Sequence, residues 1–151
     1  MGAISLAGNV KLQVIPNTKA ASIEPLIKKW VATGSIMVTD DWEAYSGLGE
    51  DYLRVIIDHS NGEYVKGAFT TNNIENFWSL FKRGIFGIYH QVSKEHLQRY
   101  CEEFAFRFNS RKIKDVDRFD YSLTKCEGRL TYKRLISQGK ATMLKVDLGE
   151  E

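Results

Sequence analysis

The chain has 151 residues, 43% apolar, 26% charged and 12% aromatic, with two prolines. This is the composition of one ordinary globular domain, and it excludes a disordered tail, a collagen-like repeat and a low-complexity segment. The net charge of +2, from 21 Lys+Arg against 19 Asp+Glu, argues as an average against a strongly basic nucleic-acid binder.

Residues 3–15 predict a β-hairpin. Ile4 and Leu6 alternate on the first strand, Val10, Leu12 and Val14 on the second, and Gly8-Asn9 supplies the turn. Pro16 closes it. A helix follows over 22–33, with Ser22 as N-cap, Glu24 beside the positive helix start and Pro25 in the first turn. Ile23, Ile27, Trp30 and Val31 share its apolar face, and Gly34 ends it. Residues 36–39 predict a short buried strand with Asp40-Asp41 at its carboxyl end. Residues 53–57 predict another, running into the turn chemistry of Asp58-His59-Ser60-Asn61-Gly62.

From about residue 72 the pattern turns helical, with Ile74, Phe77, Trp78 and Phe81 in one stripe and a break at Gly84 and Gly87. A second helix starts after Ser93 and carries Leu97, Tyr100, Cys101, Phe104 and Phe108 at helical spacing. Arg111-Lys112 lie near its end, where cations suit the dipole. After Asp115 the pattern weakens to a short helix near 131–137 and a strand over 142–148. The alternation of strands and helices predicts an α/β sheet rather than a β-sandwich. The division expected is a domain over 1–114 and a C-terminal extension over 115–151.

Two cysteines, Cys101 and Cys126, are too few for a disulfide framework. There is no CxxC pair, and the three histidines lack HxxxH spacing, so a structural zinc site is not expected. No signal peptide is evident and no apolar run approaches the ~20 residues of a membrane span, which makes a cytoplasmic protein the expectation.

Charge is unevenly placed. Residues 1–39 hold four basic and one acidic residue, 40–63 one and seven, 64–75 one and one, 76–114 eight and three, and 115–151 seven and seven. An acidic segment of −6 is thus followed by a helical region of +5. Two ordinary solvated faces account for this, as does an acidic metal pocket beside a basic groove for phosphates.

An aspartate just past a buried strand points into the crevice where open α/β sheets bind ligands, and Asp40 fits that position. Asp41 is its neighbour. Glu75, Ser79 and Lys82 fall off the apolar stripe on a common side. At ~100° per residue, Lys82 returns to within ~20° of Glu75, ~10 Å further along the axis. Taken alone, the aspartate also suits a loop or cap, and the helix pair an exposed face with loosely related charges.

The blocks VTDDWEAY, DHSNGEY and TTNNIENFWSLFKRGIFGIYHQVSKEHLQRYCEEFAFRFNSR resemble one group of prokaryotic insertion-sequence transposases over roughly residues 2–112. The resemblance implies an RNase H-like mixed sheet flanked by helices, with a DDE/N-K active-site signature. It maps the second acidic residue to Asp40, the third to Glu75 and the trailing lysine to Lys82. Asn72 matches an asparagine that accompanies the Glu, and His59 a histidine of no assigned role. It implies two Mg²⁺ (or Mn²⁺) ions, for which carboxylates are suitable hard ligands, with Asp40 and Glu75 binding metal and Lys82 holding a phosphate near the cut. Arg83, His90, Lys94, Arg99, Arg107, Arg111 and Lys112 are candidate contacts to DNA backbone further out. The implied partners are double-stranded DNA, as transposon ends and target, and further copies of the chain in a homo-oligomer.

In one respect the sequence departs from the family pattern. The first catalytic aspartate belongs on the first strand, ahead of GAISLAG, yet no Asp precedes Asp40 and Glu24 is the only acid there. The expectation is a domain lacking its central opening strand, with two strands left with unpaired edges. A partner chain, or the tail segment TMLKVDL with Asp147, is what would fill the gap. Little or no cleavage is expected from this chain alone. The alternatives are a non-catalytic DNA-binding or interaction remnant of a decayed transposase and an unrelated metal-dependent nuclease of the same fold. A tyrosine recombinase is disfavoured, because no Arg-His-Arg arrangement accompanies Tyr89.

Overall fold

A computed structural model describes residues 1–58, 69–126 and 131–132, and the backbone of 65–66. Strands β1 (Gly2–Ile4) and β2 (Val10–Leu12) form an antiparallel hairpin in which Ile4 faces Val10 and Gly2 faces Leu12. The strands are shorter than the alternation predicts. The turn occupies Ser5 to Asn9, closed by Gly8 N–H to Ser5 O at 2.8 Å and Ser5 N–H to Asn9 O at 2.9 Å, with Gly8 at φ +84°. Leu6 therefore sits in the turn, fully exposed, and not on a strand face.

Helix α1 (Ala20–Trp30) starts two residues before the expected cap. Asn17 Oδ1 accepts from Lys19 N at 3.0 Å and from the Ser22 hydroxyl at 2.9 Å, so Asn17 anchors the entry and Ser22 belongs to the first turn. Pro25 then lies in the second turn, where its missing N–H removes one intrahelical bond. The helix stops at Trp30 because Val31 is extended, and Gly34 makes the following turn at φ +84°.

Strand β3 (Ile36–Thr39) runs parallel to β4 (Leu53–Ile56), with Val38 opposite Val55 and Thr39 opposite Ile56. A 3-10 helix, Glu43–Glu50, connects them and buries Ala44 and Leu48. These pack with Ile23, Ile27 and Tyr52 into one core.

Strands β5 (Val65–Lys66) and β6 (Phe69–Thr70) pair antiparallel just ahead of helix α2 (Asn72–Gly84). The predicted stripe of α2 is buried as expected. Phe77 is 1% exposed, and Ile74, Trp78 and Phe81 pack beside it against Val10, Leu12 and Cys101 in a second core. Gly84 does not break the helix. The chain continues through a π-helical turn, Ile85–Tyr89, and ends in His90 at φ +58°. Helix α3 (Leu97–Asn109) then packs on β2.

Two α3 amides finish the open edge of β2. Asn109 Oδ1 accepts from Val10 N at 2.7 Å, and its Nδ2 donates to Val10 O at 3.0 Å. Gln98 Oε1 accepts from Val14 N at 2.8 Å, and its Nε2 donates to Leu12 O at 3.3 Å. An edge strand needs such cover to avoid pairing with other chains.

Helix α4 (Asp115–Thr124) lies where the sequence pattern weakens. Asp115 and Asp117 suit its positive end, Asp115 pairs with Arg118 at 2.6 Å, and Tyr121 stacks on Phe106 at 5.9 Å. Val116, Phe119 and Leu123 stay exposed. The expected strand over 142–148, most of the expected helix near 131–137, and His59 lie outside the described residues.

The architecture is mixed α/β, as expected. The strands form three two-stranded sheets, β1–β2, β3–β4 and β5–β6, and no ladder joins them among the described residues. The expectation of a sheet without its central strand agrees with this separation, in which β1 pairs with β2, β3 with β4, and among the described residues no strand ladder links the two pairs.

Candidate active site and nucleic-acid interface

Asp40 is the first residue past β3 and is exposed; β3 is not the buried strand expected, since Ile36 is 54% exposed and only Thr39 is buried. Its backbone is held firmly. The hydroxyl of buried Thr39 donates to Asp40 O at 2.7 Å, Arg54 Nη2 donates to the same oxygen at 3.0 Å, and Arg54 Nε donates to Thr39 Oγ1 at 2.9 Å. The carboxylate faces a turn, with Trp42 N–H directed at Oδ1 at 3.4 Å. Tyr45 lies nearby, its ring 5.8 Å from the Arg54 guanidinium carbon. Burial pushes the Tyr45 phenol up, the charge of Asp40 adds to this, and Arg54 partly offsets it.

Glu75 stands in the first turn of α2, where a carboxylate suits the helix dipole. Its Oε1 accepts from the Thr71 hydroxyl at 2.7 Å. Asn72 is the first residue of α2, exposed, and its N–H donates to Thr70 Oγ1 at 3.1 Å. Lys82 and Arg83 are exposed in the last turn.

The remaining candidate cations fall in two groups. His90, Lys94 and Arg99 are exposed around the connection from the π turn into α3. Arg107, Arg111 and Lys112 gather with α2 around one cleft. Arg107 pairs with Glu103 at 2.6 Å, and that carboxylate also accepts from Tyr89 Oη at 2.8 and 2.9 Å. The Tyr89 phenol is raised chiefly by that hydrogen bond. Arg111 Nη1 donates to Phe108 O at 2.7 Å and Gly8 O at 3.1 Å, and its guanidinium lies 4.0 Å over the Phe108 ring.

Asp40 thus belongs to the half built on α1, β3 and β4, whereas Glu75, Lys82 and the cationic cleft belong to the half built on β1, β2, α2 and α3. Among the described residues, no three of His, Cys, Asp and Glu group closely enough to hold a metal. Sequence reasoning missed Arg54, although it is the one cation in the −6 segment. A single arginine among seven acids has a partner to find.

The chain matches the family model of the ISXO2-like transposase domain over residues 1–109. It is 32% identical over 102 residues to an uncharacterized transposase-like protein of Haemophilus influenzae, covering 67% of this chain and 81% of that relative. It is 37% identical over 71 residues to an uncharacterized protein in transposable element ISH50 of Halobacterium salinarum, covering 46% of this chain and only 24% of that relative. No solved structure matches. Among the described residues, no helix is long and apolar enough to cross a membrane. With a family match that spans most of its length, the chain belongs to the ISXO2-like transposase domain family.

Proposed function

We propose that the chain is the catalytic part of an insertion-sequence transposase, an RNase H-like domain that acts on the phosphodiester backbone of double-stranded DNA, and that it works as a homo-oligomer. The observation that carries this reading is one of placement. Asp40 leaves the carboxyl end of the parallel β3–β4 pair, and Glu75 and Lys82 project from exposed positions of α2 within the matched family region.

The donor set fits Mg²⁺ or Mn²⁺ in type, because Asp40 and Glu75 are hard carboxylate ligands. It is short in number, since among the described residues neither carboxylate belongs to a group of three acids, cysteines or histidines that could hold a metal. When bound, such ions activate the attacking oxygen and stabilise the leaving oxygen of phosphoryl transfer. The residues' own part is to bind and orient. Lys82 neutralises a phosphate beside Glu75, Asn72 offers an amide one turn earlier on that helix, and the fixed backbone of Asp40 aims its carboxylate. Arg83, His90, Lys94, Arg99, Arg107, Arg111 and Lys112 hold DNA backbone further out.

The same shortage of ligands favours a second role, DNA binding without cleavage. Calorimetric titration of Mg²⁺ into the 151-residue chain separates the two. Weak binding abolished by Asp40→Asn or Glu75→Gln, with little nicking of plasmid DNA, supports a catalytic domain that is incomplete by itself. Binding indifferent to both substitutions overturns the metal assignment. Robust Mg²⁺-dependent nicking lost in Glu75→Gln overturns the incompleteness.

A further inference from the structure

We propose that the cleft between the β1–β2 turn, α2 and α3 receives an unpaired nucleobase from a DNA strand lying across α2, an inference that rests on the DNA reading above. The cleft holds about 550 Å³, within the ~300–1,000 Å³ of small-ligand sites. Phosphate recognition needs only cations, yet this cleft also has an aromatic wall. Half-buried Phe104 and Phe108 line it, with buried Phe77 behind them, edge to face with Phe108 at 5.1 Å.

Asn73 and Asn76 stand on the α2 side. Both are exposed, and among the described residues neither carboxamide has a hydrogen-bond partner. A carboxamide presents a donor and an acceptor together, the combination that reads the edge of a base.

The rim is cationic. Arg107, Arg111 and Lys112 border the opening, placed for the phosphates on either side of an inserted base. Arg111 is already fixed, through two carbonyls and the Phe108 ring. A held guanidinium plane is a stacking surface for a base.

The cleft also adjoins the candidate active site. Asn76 follows Glu75 by one residue, about 100° around α2. A strand with a phosphate at Lys82 therefore crosses one side of α2 to bring a base further along to the cleft.

The test uses the full 151-residue chain and three fluorescein-labelled probes: a 12-nucleotide single strand, the same strand with central abasic sites, and a 12-base-pair blunt duplex. Anisotropy is expected to show the base-bearing strand binding about ten-fold tighter than the abasic strand, equivalent to about 1.4 kcal/mol. The double variant Asn73→Ala, Asn76→Ala is expected to lower that preference at least about three-fold while binding the duplex as before. Alanine at these exposed positions favours the helix, so the variant folds. A 2-aminopurine at the central position is expected to change its emission on binding. A chain that binds the duplex but treats base-bearing and abasic strands alike, leaves 2-aminopurine unchanged, or keeps its full preference in the double variant overturns the pocket alone. A chain that binds none of the probes overturns the DNA reading with it.

Discussion

The Arg54 guanidinium donates from Nη2 to the main-chain carbonyl of Asp40 at 3.0 Å, while its Nε reaches Thr39 Oγ1 at 2.9 Å. One planar group thereby spans the last residue of β3 and the candidate ligand just beyond it. Arg54→Ala is expected to destabilise the fold by about 1–2 kcal/mol, the low end for hydrogen bonds to a charged donor because the Thr39 hydroxyl still serves Asp40 O. Arg54→Lys is expected to recover little, since a point-like ammonium cannot replace a fork. Urea unfolding measures the loss, and Mg²⁺ calorimetry reads whether Asp40 has lost its aim. Unchanged midpoints in both variants would dispose of the clamp.

Asn109 substitutes for a neighbouring strand at Val10, which is 2% exposed. Asn109→Ala leaves a buried N–H and a buried C=O without partners and is expected to cost about 2–6 kcal/mol, at ~1–3 for each group. Asn109→Asp keeps the acceptor but sets a carboxylate against the Val10 carbonyl. That variant is expected to gain stability as pH falls, because the protonated acid can donate where the carboxylate cannot. A denaturation series from pH 7 to 4 checks this, and a variant as stable as the parent at pH 7 contradicts it.

What could be read from the sequence follows from how local each cause is. The β3 strand with Asp40 at its end, the β4 strand and the Ile74–Phe77–Trp78–Phe81 stripe are each written in a few adjacent side chains, and each is present. The helix that carries Glu75 and Lys82 is equally local in origin, and both residues are exposed on it. At Leu6 the apolar alternation runs two residues past β1 into a turn that Gly8 closes, so its pattern points to a strand the backbone does not form. The 3-10 helix Glu43–Glu50 turns only Ala44, Tyr45 and Leu48 to the core, a single turn's worth of apolar spacing among glycines and acids that is too short to mark a helix in the sequence. The clamp on Asp40 and the amides on β2 join residues 14 to 99 positions apart, and spacing along the chain carries no trace of them.

Gly84 was expected to interrupt α2, and its real role is contact. A Cβ there would run into the Phe104 ring, which is also held edge to face by Phe81 at 5.1 Å. Gly84→Ala gains ~1 kcal/mol of helix propensity but incurs ~1–3 kcal/mol of overpacking. A net loss is expected, lowering Tm by a few degrees. Gly87→Ala is the control, since a Cβ there meets nothing within 4 Å. Calorimetric scans of the pair should separate them, and a stabilised Gly84→Ala would show that α2 and α3 are not in close contact.

Alkaline pH should loosen both cores. Burial raises the Cys101 thiol, opposed in part by the Met1 amino group, and raises the Tyr45 phenol, with the charge of Asp40 adding to the latter. Each folded pKa thus lies above its unfolded value, so above the unfolded pKa the native state binds more protons and stability falls as pH rises. The Cys101 contribution is intact below about 8.5 and the Tyr45 contribution below about 10, the unfolded values, and each is lost as pH climbs through the folded one. Urea midpoints are expected to rise slightly towards pH 8, because burial lowers the Met1 amino group, and to decline between about 9 and 11. Cys101→Ala should remove the earlier part of that decline and Tyr45→Phe a share of the later part, the remainder coming from the Tyr89 phenol held by Glu103, apart from any constant loss of packing. If the decline keeps its shape in both variants, other groups drive it and neither buried proton matters to the fold.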